Sequence, residues 1–185
     1  MTGYAICGSF CTHSASLAAL TLLCEERDVI PIISYNAATT DTRFGTAKEL
    51  LSRVESICSR RAVTTIVDAE PLGPKTPMDA LIIAPCTGNT LAKLANGITD
   101  TPVTMAAKAH LRCSRPLVIA LASNDALSAN LKNIAIMAEK KNVYFVPMKQ
   151  DDIENKPYSL VADFHLIEKT LAMAEEGRQI RPLFI

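Results

Sequence analysis

The sequence predicts an α/β fold, a three-layer sandwich with a mainly parallel sheet between two layers of helices. Two observations support this prediction. Short runs that are apolar at every position, such as Ala80–Ala84 and Leu117–Leu121, are typical of strands that are buried on both faces. Segments with apolar residues at helical spacing alternate with these runs, and this alternation is typical of parallel sheets.

The predicted elements follow one another in regular order along the chain. Strands are predicted at Tyr4–Cys7, Val29–Ile33, Ala80–Ala84, Leu117–Leu121 and Val143–Val146. Helices are predicted at Ser14–Glu26, Thr46–Ile57, Thr90–Ala95, Val103–Leu111, Leu127–Lys140 and Leu160–Glu175. The prolines of the segment EPLGPKTP interrupt the chain over too few residues to form a linker. One domain is therefore expected over residues 1–185.

Length and composition exclude several classes of function. With 185 residues, 49% of them hydrophobic and 21% charged, the chain is typical of a soluble domain with a sizeable core. Nineteen basic and nineteen acidic residues balance, and no basic block occurs, so no nucleic-acid partner is expected. No apolar run approaches the ~18 residues of a membrane span, and the N-terminus lacks the basic segment of a signal peptide. A cytoplasmic location without membrane contact is therefore expected.

The six cysteines form no CxxC pair and have no histidines at zinc spacing, so no metal site is predicted. Most of them lie in apolar segments, where a free cysteine behaves as a small hydrophobic residue in a reducing compartment. Cys11 and Cys86 fall in predicted loops and are the two candidates for a reactive thiol. A catalytic role is the less favoured interpretation for both.

Small polar residues gather in the loops that follow four of the predicted strands. These loops are Gly8–Thr12, Ser34–Asn36, Thr87–Thr90 and Ser123–Asp125. Because ligands of open α/β sheets bind beyond the carboxyl ends of the strands, the four loops are expected to share one edge. Helix starts offer free N–H groups, glycine allows close approach, and hydroxyl and amide groups add neutral donors that suit a phosphate. Each loop alone is explained by helix N-caps, but four together favour a shared ligand site.

The segment APCTGNTLAKLANGITDTPVT resembles the Pro-Ala-Ser-Ala-Asn-Thr region of the homo-oligomeric FMN-binding cysteine decarboxylase superfamily. The matching positions are Pro85, Thr87, Asn89, Thr90, Lys93, Ala95, Gly97 and Asp100. The resemblance implies a Rossmann-like or flavodoxin-like flavoprotein fold that binds FMN. It assigns the phosphate and ribityl chain to Gly8, Ser9 and Ser34, and contacts with the ring or substrate to Asn89 and Asn124. The cofactor site that it implies also includes Phe10, Pro85, Thr87 and Thr90.

Longer segments resemble a narrower family, the B subunits of dipicolinate synthase from spore-forming bacteria. These segments include SYNAATTDTRFG, DAEPLGPKTP, TDTPVTMAAKAHLR, SNDAL and NVYFVPMKQDD. The resemblance implies oxidation of a dihydrodipicolinate-type ring to pyridine-2,6-dicarboxylate, with NADP as the acceptor. It also implies a place in sporulation, in the mother cell.

Two departures from the decarboxylases bear on the chemistry. Their histidine after the second strand has no counterpart, because no histidine lies between residues 35 and 67. Their substrate clamp, Pro-x-Met-Asn-x-x-Met-Trp, corresponds to residues 121–128, where Asn124 is retained and Leu127 replaces the second methionine. FMN-dependent decarboxylation of a cysteinyl substrate is therefore the alternative function. A non-catalytic scaffold for a partner is the third hypothesis.

The charged candidates are interpreted from their surroundings. A cyclic dicarboxylate requires two cationic groups, and Arg43, in a loop of small residues, is the first candidate. Arg43 and Asn124 are the two predicted catalytic residues. His110 is interpreted as a cation at the end of a basic helix, and His165 as a packing or surface residue. Further candidates for the carboxylates are Lys75, Lys93, Lys108 and Arg112.

The sequence also predicts a division of labour between chains. The first strand is followed by GSFCTHS, which has one glycine where a dinucleotide fingerprint needs three, and no P-loop motif is present. The NADP site is therefore expected on a second chain, which the resemblance identifies as the A subunit of the synthase. The superfamily resemblance further implies trimers or larger homo-oligomers that complete the flavin site.

Overall fold

Seven strands form the central sheet of the computed structural model, which describes residues 1–185. The strands are β1 (Thr2–Ile6), β2 (Val29–Ile33), β3 (Ala80–Cys86), β4 (Leu117–Ser123), β5 (Val143–Phe145), β6 (Met148–Lys149) and β7 (Leu160–Ala162). The helices are α1 (His13–Glu26), α2 (Tyr35–Thr39), α3 (Ala47–Cys58), α4 (Ile66–Ala69), α5 (Gly88–Ala95), α6 (Pro102–Leu111), α7 (Leu131–Glu139) and α8 (Ile167–Glu175).

Five strands form the parallel part of the sheet, in the order β2-β1-β3-β4-β5. The carboxyl end of β4 continues into a small antiparallel part, where Ala122 pairs with Val161 of β7 and β7 pairs with β6. The prediction of a mainly parallel sheet is confirmed. The order 2-1-3-4-5 is that of flavodoxin-like folds, in which the chain reverses its direction of winding between β1 and β3.

The core lies in two layers, one on each face of the sheet. Because successive side chains of a strand point to opposite faces, Tyr4 and Ile6 pack on one side and Ala5 and Cys7 on the other. The first side is covered by α1, α3 and α8 and contains a cluster of 21 buried residues. The other side is covered by α5, α6 and α7 and contains a cluster of 25 buried residues. The three-layer sandwich predicted from the sequence is therefore confirmed.

Hydroxyl side chains fix the starts of five helices. Each accepts a hydrogen bond from a backbone N–H in the first helical turn, which has no acceptor within the helix. The capping residues are Ser34, Thr46, Thr65, Thr87 and Thr101. Two of them, Ser34 and Thr87, belong to the polar loops singled out in the sequence, so the N-cap interpretation holds for both.

Two predicted helices are wrong in their boundaries. The segment Leu160–Glu175 is not one helix, because Leu160–Ala162 pairs with β4 and β6 as an antiparallel strand and α8 begins only at Ile167. The helix predicted from Leu127 begins at Leu131, because backbone N–H groups of the preceding residues bond to the Asp125 carbonyl in a turn. The short elements α2, α4 and β6 were not predicted. No helix of the protein has the length and apolar character needed to cross a bilayer.

Candidate functional site

A cavity of about 690 Å³ lies beyond the carboxyl ends of β1, β3 and β4. It sits at the boundary between β1 and β3, where oppositely directed connections leave a crevice in flavodoxin-like sheets. Its walls come from five segments that are distant in the sequence. These are residues 8–12, 43–44, 87–89 and 122–125, with four residues from the β6–β7 region, Asp151, Lys156, Ser159 and Val161.

Seven of the ten predicted site residues line this cavity. They are Gly8, Ser9, Phe10, Arg43, Thr87, Asn89 and Asn124. The other three, Ser34, Pro85 and Thr90, are buried and do not line it. The geometry therefore brings three of the four predicted loops together, whereas the Ser34–Asn36 loop contributes no residue to the cavity wall. The role of each residue toward a ligand stays a prediction.

The loop after β1 offers groups that the protein itself does not use. The backbone N–H of Gly8 has no acceptor in the protein, whereas that of Ser9 is bonded to the Cys7 carbonyl at 3.0 Å. A Cβ added at Gly8 would have its nearest neighbour, the Phe10 ring, at 3.5 Å, which is ordinary contact. The fold therefore does not require glycine at this position, and the free N–H in the cavity wall is available to an anion.

The loop after β3 is held from behind by two threonines. Thr87 Oγ1 accepts the Thr90 N–H at 3.2 Å and donates to Thr90 Oγ1 at 3.1 Å. Thr90 Oγ1 in turn donates to Cys7 Sγ at 3.3 Å, which joins this loop to β1. The N–H groups of Gly88 and Asn89 lie in the first turn of α5 and have no acceptor within the helix. They therefore point toward its N-terminal end, which faces the cavity.

The loop after β4 is fixed by the carboxylate of Asp125, whose structural role the sequence does not indicate. Asp125 accepts hydrogen bonds from Ser123 Oγ at 2.5 Å and from Asn130 Nδ2 at 2.9 Å. Asn133 Nδ2 supports this arrangement by donating to Asn130 Oδ1 at 2.8 Å. The side chain of Asn124 takes no part in the network and is exposed in the cavity wall. A ligand can therefore use the Asn124 amide while Asp125 is occupied by the fold.

Gly88 packs directly against this network. A Cβ at Gly88 would lie 2.5 Å from Asn130 Nδ2 and 2.8 Å from Asp125 Oδ1, and closer still to Ser123 Oγ. At such distances the neighbouring side chains must shift, so a residue larger than glycine here would displace the Asp125 network. The sequence carried no signal of this contact, because Gly88 and Asp125 are far apart in the chain.

Two cationic side chains line the cavity. The Arg43 guanidinium carbon lies 4.9 Å from the centroid of the neighbouring Phe44 ring, a cation–π contact that leaves its N–H groups available. Lys156, which sequence reasoning missed, places Nζ 3.1 Å from Asp151 Oδ2. This hydrogen bond raises the pKa of Lys156, so the side chain is a cation at neutral pH.

The other cations proposed from the sequence lie elsewhere. None of Lys75, Lys93, Lys108 and Arg112 lines the cavity. Lys93 Nζ lies 2.8 Å from Asp100 Oδ2, so this ion pair accounts for the two residues without a ligand. The sequence signal for Lys156 is its position in a polar loop after the fifth predicted strand and before the helix predicted from Leu160.

A second cavity of about 330 Å³ lies beside the first, between the starts of α1 and α3. The two cavities share Phe10, Cys11 and Phe44 in their walls. His13 lines the smaller one and places Nε2 2.8 Å from the Cys7 carbonyl. Burial lowers the pKa of His13, so the ring is neutral at pH 7 and holds the first loop as a hydrogen-bond donor.

The two thiol candidates have opposite environments. Cys86 is the last residue of β3 rather than a loop residue, and its side chain is completely buried. Burial raises the pKa of Cys86 well above its ordinary value, so it is a thiol at neutral pH and unsuited to nucleophilic attack. Cys11 is exposed and lies where the two cavities meet.

The interpretation of His110 as a helix-end cation is wrong. Its ring is fully buried, and Nε2 donates to the Pro116 carbonyl at 2.9 Å while Nδ1 has no partner. Burial lowers the pKa of His110, so the neutral form is the one present at pH 7. His165 is exposed, in line with the prediction of a packing or surface residue.

The order of the strands and the polar cavity at the β1/β3 boundary define a flavodoxin-like α/β protein, and comparison with known families agrees. The family described as Flavoprotein matches residues 5–179. The B subunit of dipicolinate synthase from Bacillus subtilis (strain 168) is 41% identical over 184 residues, covering 99% of this chain and 92% of that protein. The chain therefore belongs to the Flavoprotein family and, within it, to the dipicolinate synthase B subunits.

Solved structures give the same result. The crystal structure of the dipicolinate synthase B subunit from Bacillus halodurans superposes with a TM-score of 0.91 at 41% identity, over 100% of this chain and 95% of that one. The FMN-dependent cysteine decarboxylase SpaF has a TM-score of 0.69 at 23% identity, over 94% and 95% of the two chains. At that identity the second likeness concerns the fold alone.

Proposed function

We propose that this chain contributes to the NADP-linked oxidation of a dihydrodipicolinate-type intermediate to pyridine-2,6-dicarboxylate during spore formation. The observation that carries the proposal is the cavity at the β1/β3 boundary, with free backbone donors on one side and two cations in its walls. The identity of 41% with the B subunit of a dipicolinate synthase supplies the substrate class. The oxidation removes two electrons and two protons from the ring: NADP⁺ accepts the two electrons and one proton as a hydride, and the second proton is released to solvent.

FMN is the proposed cofactor of this cavity, and the residues present fit it. The free N–H of Gly8, which lies in the cavity wall, suits a phosphate. Asn89 and Asn124 are exposed amides in the wall and suit the polar edge of the flavin ring or the substrate. The bound flavin would supply reversible two-electron chemistry. The cavity volume of about 690 Å³ lies in the range usual for cofactor and ligand sites.

Arg43 is proposed to hold a substrate carboxylate at the mouth of the site. It lines the cavity, has no acidic partner, and presents the planar fork of donors that suits a carboxylate. NADP is proposed to bind to the A subunit, because the loop after β1 lacks the glycines of a dinucleotide site. A homo-oligomer, a trimer or a multiple of one, is proposed to complete the flavin site.

A reconstitution assay tests the proposal. Pyridine-2,6-dicarboxylate formation is measured for the purified chain, for the A subunit and for the mixture, each with and without FMN and NADP. We expect weak NADP binding and no turnover by the chain alone, and turnover on addition of the A subunit. Robust NADP-dependent synthesis by this chain alone would contradict the division of labour.

Two alternatives lead to different results in simple measurements. FMN-dependent decarboxylation of a cysteinyl substrate, which retention of Asn124 favours, would release CO₂ from a peptide with a C-terminal cysteine. A non-catalytic scaffold would leave the visible spectrum of the protein without flavin bands after FMN addition and gel filtration. Flavin bands together with dicarboxylate synthesis in the mixture support the proposed oxidation over both.

A further inference from the structure

The cavity contains a cation that is not among the candidates from the sequence, and its position bears on substrate choice. A ring with two carboxylates needs two cationic partners, and Arg43 provides one. Lys156 is the second cationic side chain in the wall, and it comes from the β6–β7 region rather than from the segment before α3. The two cations are thus held by separate parts of the fold.

We propose that Lys156 is a specificity-determining residue that binds the second carboxylate of the substrate. This inference rests on the proposed function and names the group that would distinguish a dicarboxylate from a monocarboxylate. With Arg43 and Lys156 both engaged, a ring that carries only one carboxylate leaves one of the two cations without a ligand partner. Selectivity of this kind depends on differential affinity for the two ligands.

The other charges of the cavity are consistent with this role. Asp125 is fully engaged by Ser123 and Asn130, so its carboxylate is fixed within the wall by three hydrogen bonds. Asp151 is the partner of Lys156 at 3.1 Å, and the side chains of the lysine and the aspartate are 55% and 34% exposed. An exposed ion pair is held weakly because water screens it, so Lys156 Nζ can exchange one carboxylate for another. Asp151 keeps the lysine near the cavity until the ligand arrives.

Binding of two pyridine ligands tests the inference directly. Isothermal titration calorimetry is performed on the FMN-loaded chain with pyridine-2,6-dicarboxylate and with pyridine-2-carboxylate, which lacks one carboxylate. Lys156→Met is expected to weaken binding of the dicarboxylate about tenfold and binding of the monocarboxylate about twofold or less. Lys156→Arg is expected to restore most of the loss, because it keeps the charge. Lys149→Met, an exposed lysine of β6 outside the cavity, is the matched control and should bind both ligands as the wild type does.

Asp151→Asn provides a second variant that keeps the lysine and removes its competitor. Dicarboxylate binding by this variant should equal or exceed that of the wild type, and circular dichroism should show an unchanged fold. Equal loss of both ligands in Lys156→Met, or no loss of either, would overturn the inference while leaving the proposed function in place. If the wild type binds no pyridine-2,6-dicarboxylate even with FMN and the A subunit present, the proposed function itself fails, and the inference with it.

Discussion

Two glycines at the same edge of the sheet have opposite surroundings. Gly8 follows β1 and Gly88 follows β3, and both lie in the wall of the 690 Å³ cavity. An added Cβ would meet nothing closer than 3.5 Å at Gly8, but would lie 2.5 Å from Asn130 Nδ2 at Gly88. A side chain at Gly88 would therefore displace its polar neighbours, whereas one at Gly8 would not. We call the side of the cavity formed by Gly88 and the Asp125 network the rigid wall, and the side formed by the loop of Gly8 the open wall.

The largest expected effect is on the rigid wall. Gly88→Ala should lower the free energy of unfolding by about 2 kcal/mol, because the new methyl group displaces the Asp125 network. Gly8→Ala is the matched control and should change it by less than about 0.5 kcal/mol. Urea unfolding of both variants measures the difference. Equal stability of the two would contradict the contrast between the walls.

The next effect concerns the carboxylate at the centre of the rigid wall. Asp125→Ala leaves the donors of Ser123 and Asn130 without their acceptor and should cost about 1–3 kcal/mol of stability. Glu154→Ala removes an exposed carboxylate from the β6–β7 region and should leave the melting temperature unchanged. Thermal unfolding followed by circular dichroism compares the two variants. If Asp125→Ala has the same melting temperature as the wild type, the hydrogen-bond network does not stabilise the loop.

Acid should lower the free energy of unfolding through two histidines, the half-buried His13 and the buried His110. Burial lowers the pKa of both His13 and His110 in the folded state, so between that lowered pKa and about 6.5 the unfolded chain binds more protons than the folded one. Stability from these groups is complete above pH 6.5 and falls as the pH decreases through this window. Urea titrations at pH 7.5, 6.5 and 5.5 measure the slope. His110→Gln should reduce it, and an unchanged slope would assign the acid sensitivity to other groups.

Substitutions in the open wall should change the affinity for FMN rather than the stability of the fold. Gly8→Val places a branched side chain where the phosphate is proposed to lie and should weaken FMN binding about tenfold or more. Flavin fluorescence titration measures the affinity, and the melting temperature without FMN checks the fold. Ser34→Asp tests the predicted phosphate contact of Ser34, since Asp also caps helices but repels an anion. Unchanged FMN affinity in both variants would exclude the phosphate assignment.

The smallest effect on stability is expected at Asn124, whose side chain makes no hydrogen bond within the protein. Asn124→Ala should change the free energy of unfolding by less than about 0.5 kcal/mol. In the assay with the A subunit it should lower activity about tenfold, as expected for loss of a contact with flavin or substrate. A large fall in melting temperature together with normal activity would make Asn124 a structural residue.

The sequence by itself determined the class of fold and the edge at which the site lies. Apolar runs such as Ala80–Ala84, and apolar residues at helical spacing such as those of α3, are local patterns that can be read from the sequence. The periods of strands and helices fix which face of the element each residue lies on. The polar loops are evident from composition, because small polar residues follow the apolar runs directly. Where the local pattern was ambiguous, as at Leu160–Ala162, pairing with β4 decided the structure.

Only the tertiary structure decided which polar residues serve the fold and which face the cavity. Contacts between distant residues, such as Gly88 with Asp125 and Thr90 with Cys7, cannot be read from sequence periods. The same is true of the burial of His110. Lys156 reaches the cavity because the β6–β7 region folds back beside the end of β4. The physical reason is that packing and desolvation are set by neighbours in space, while composition and period report only on neighbours in the chain.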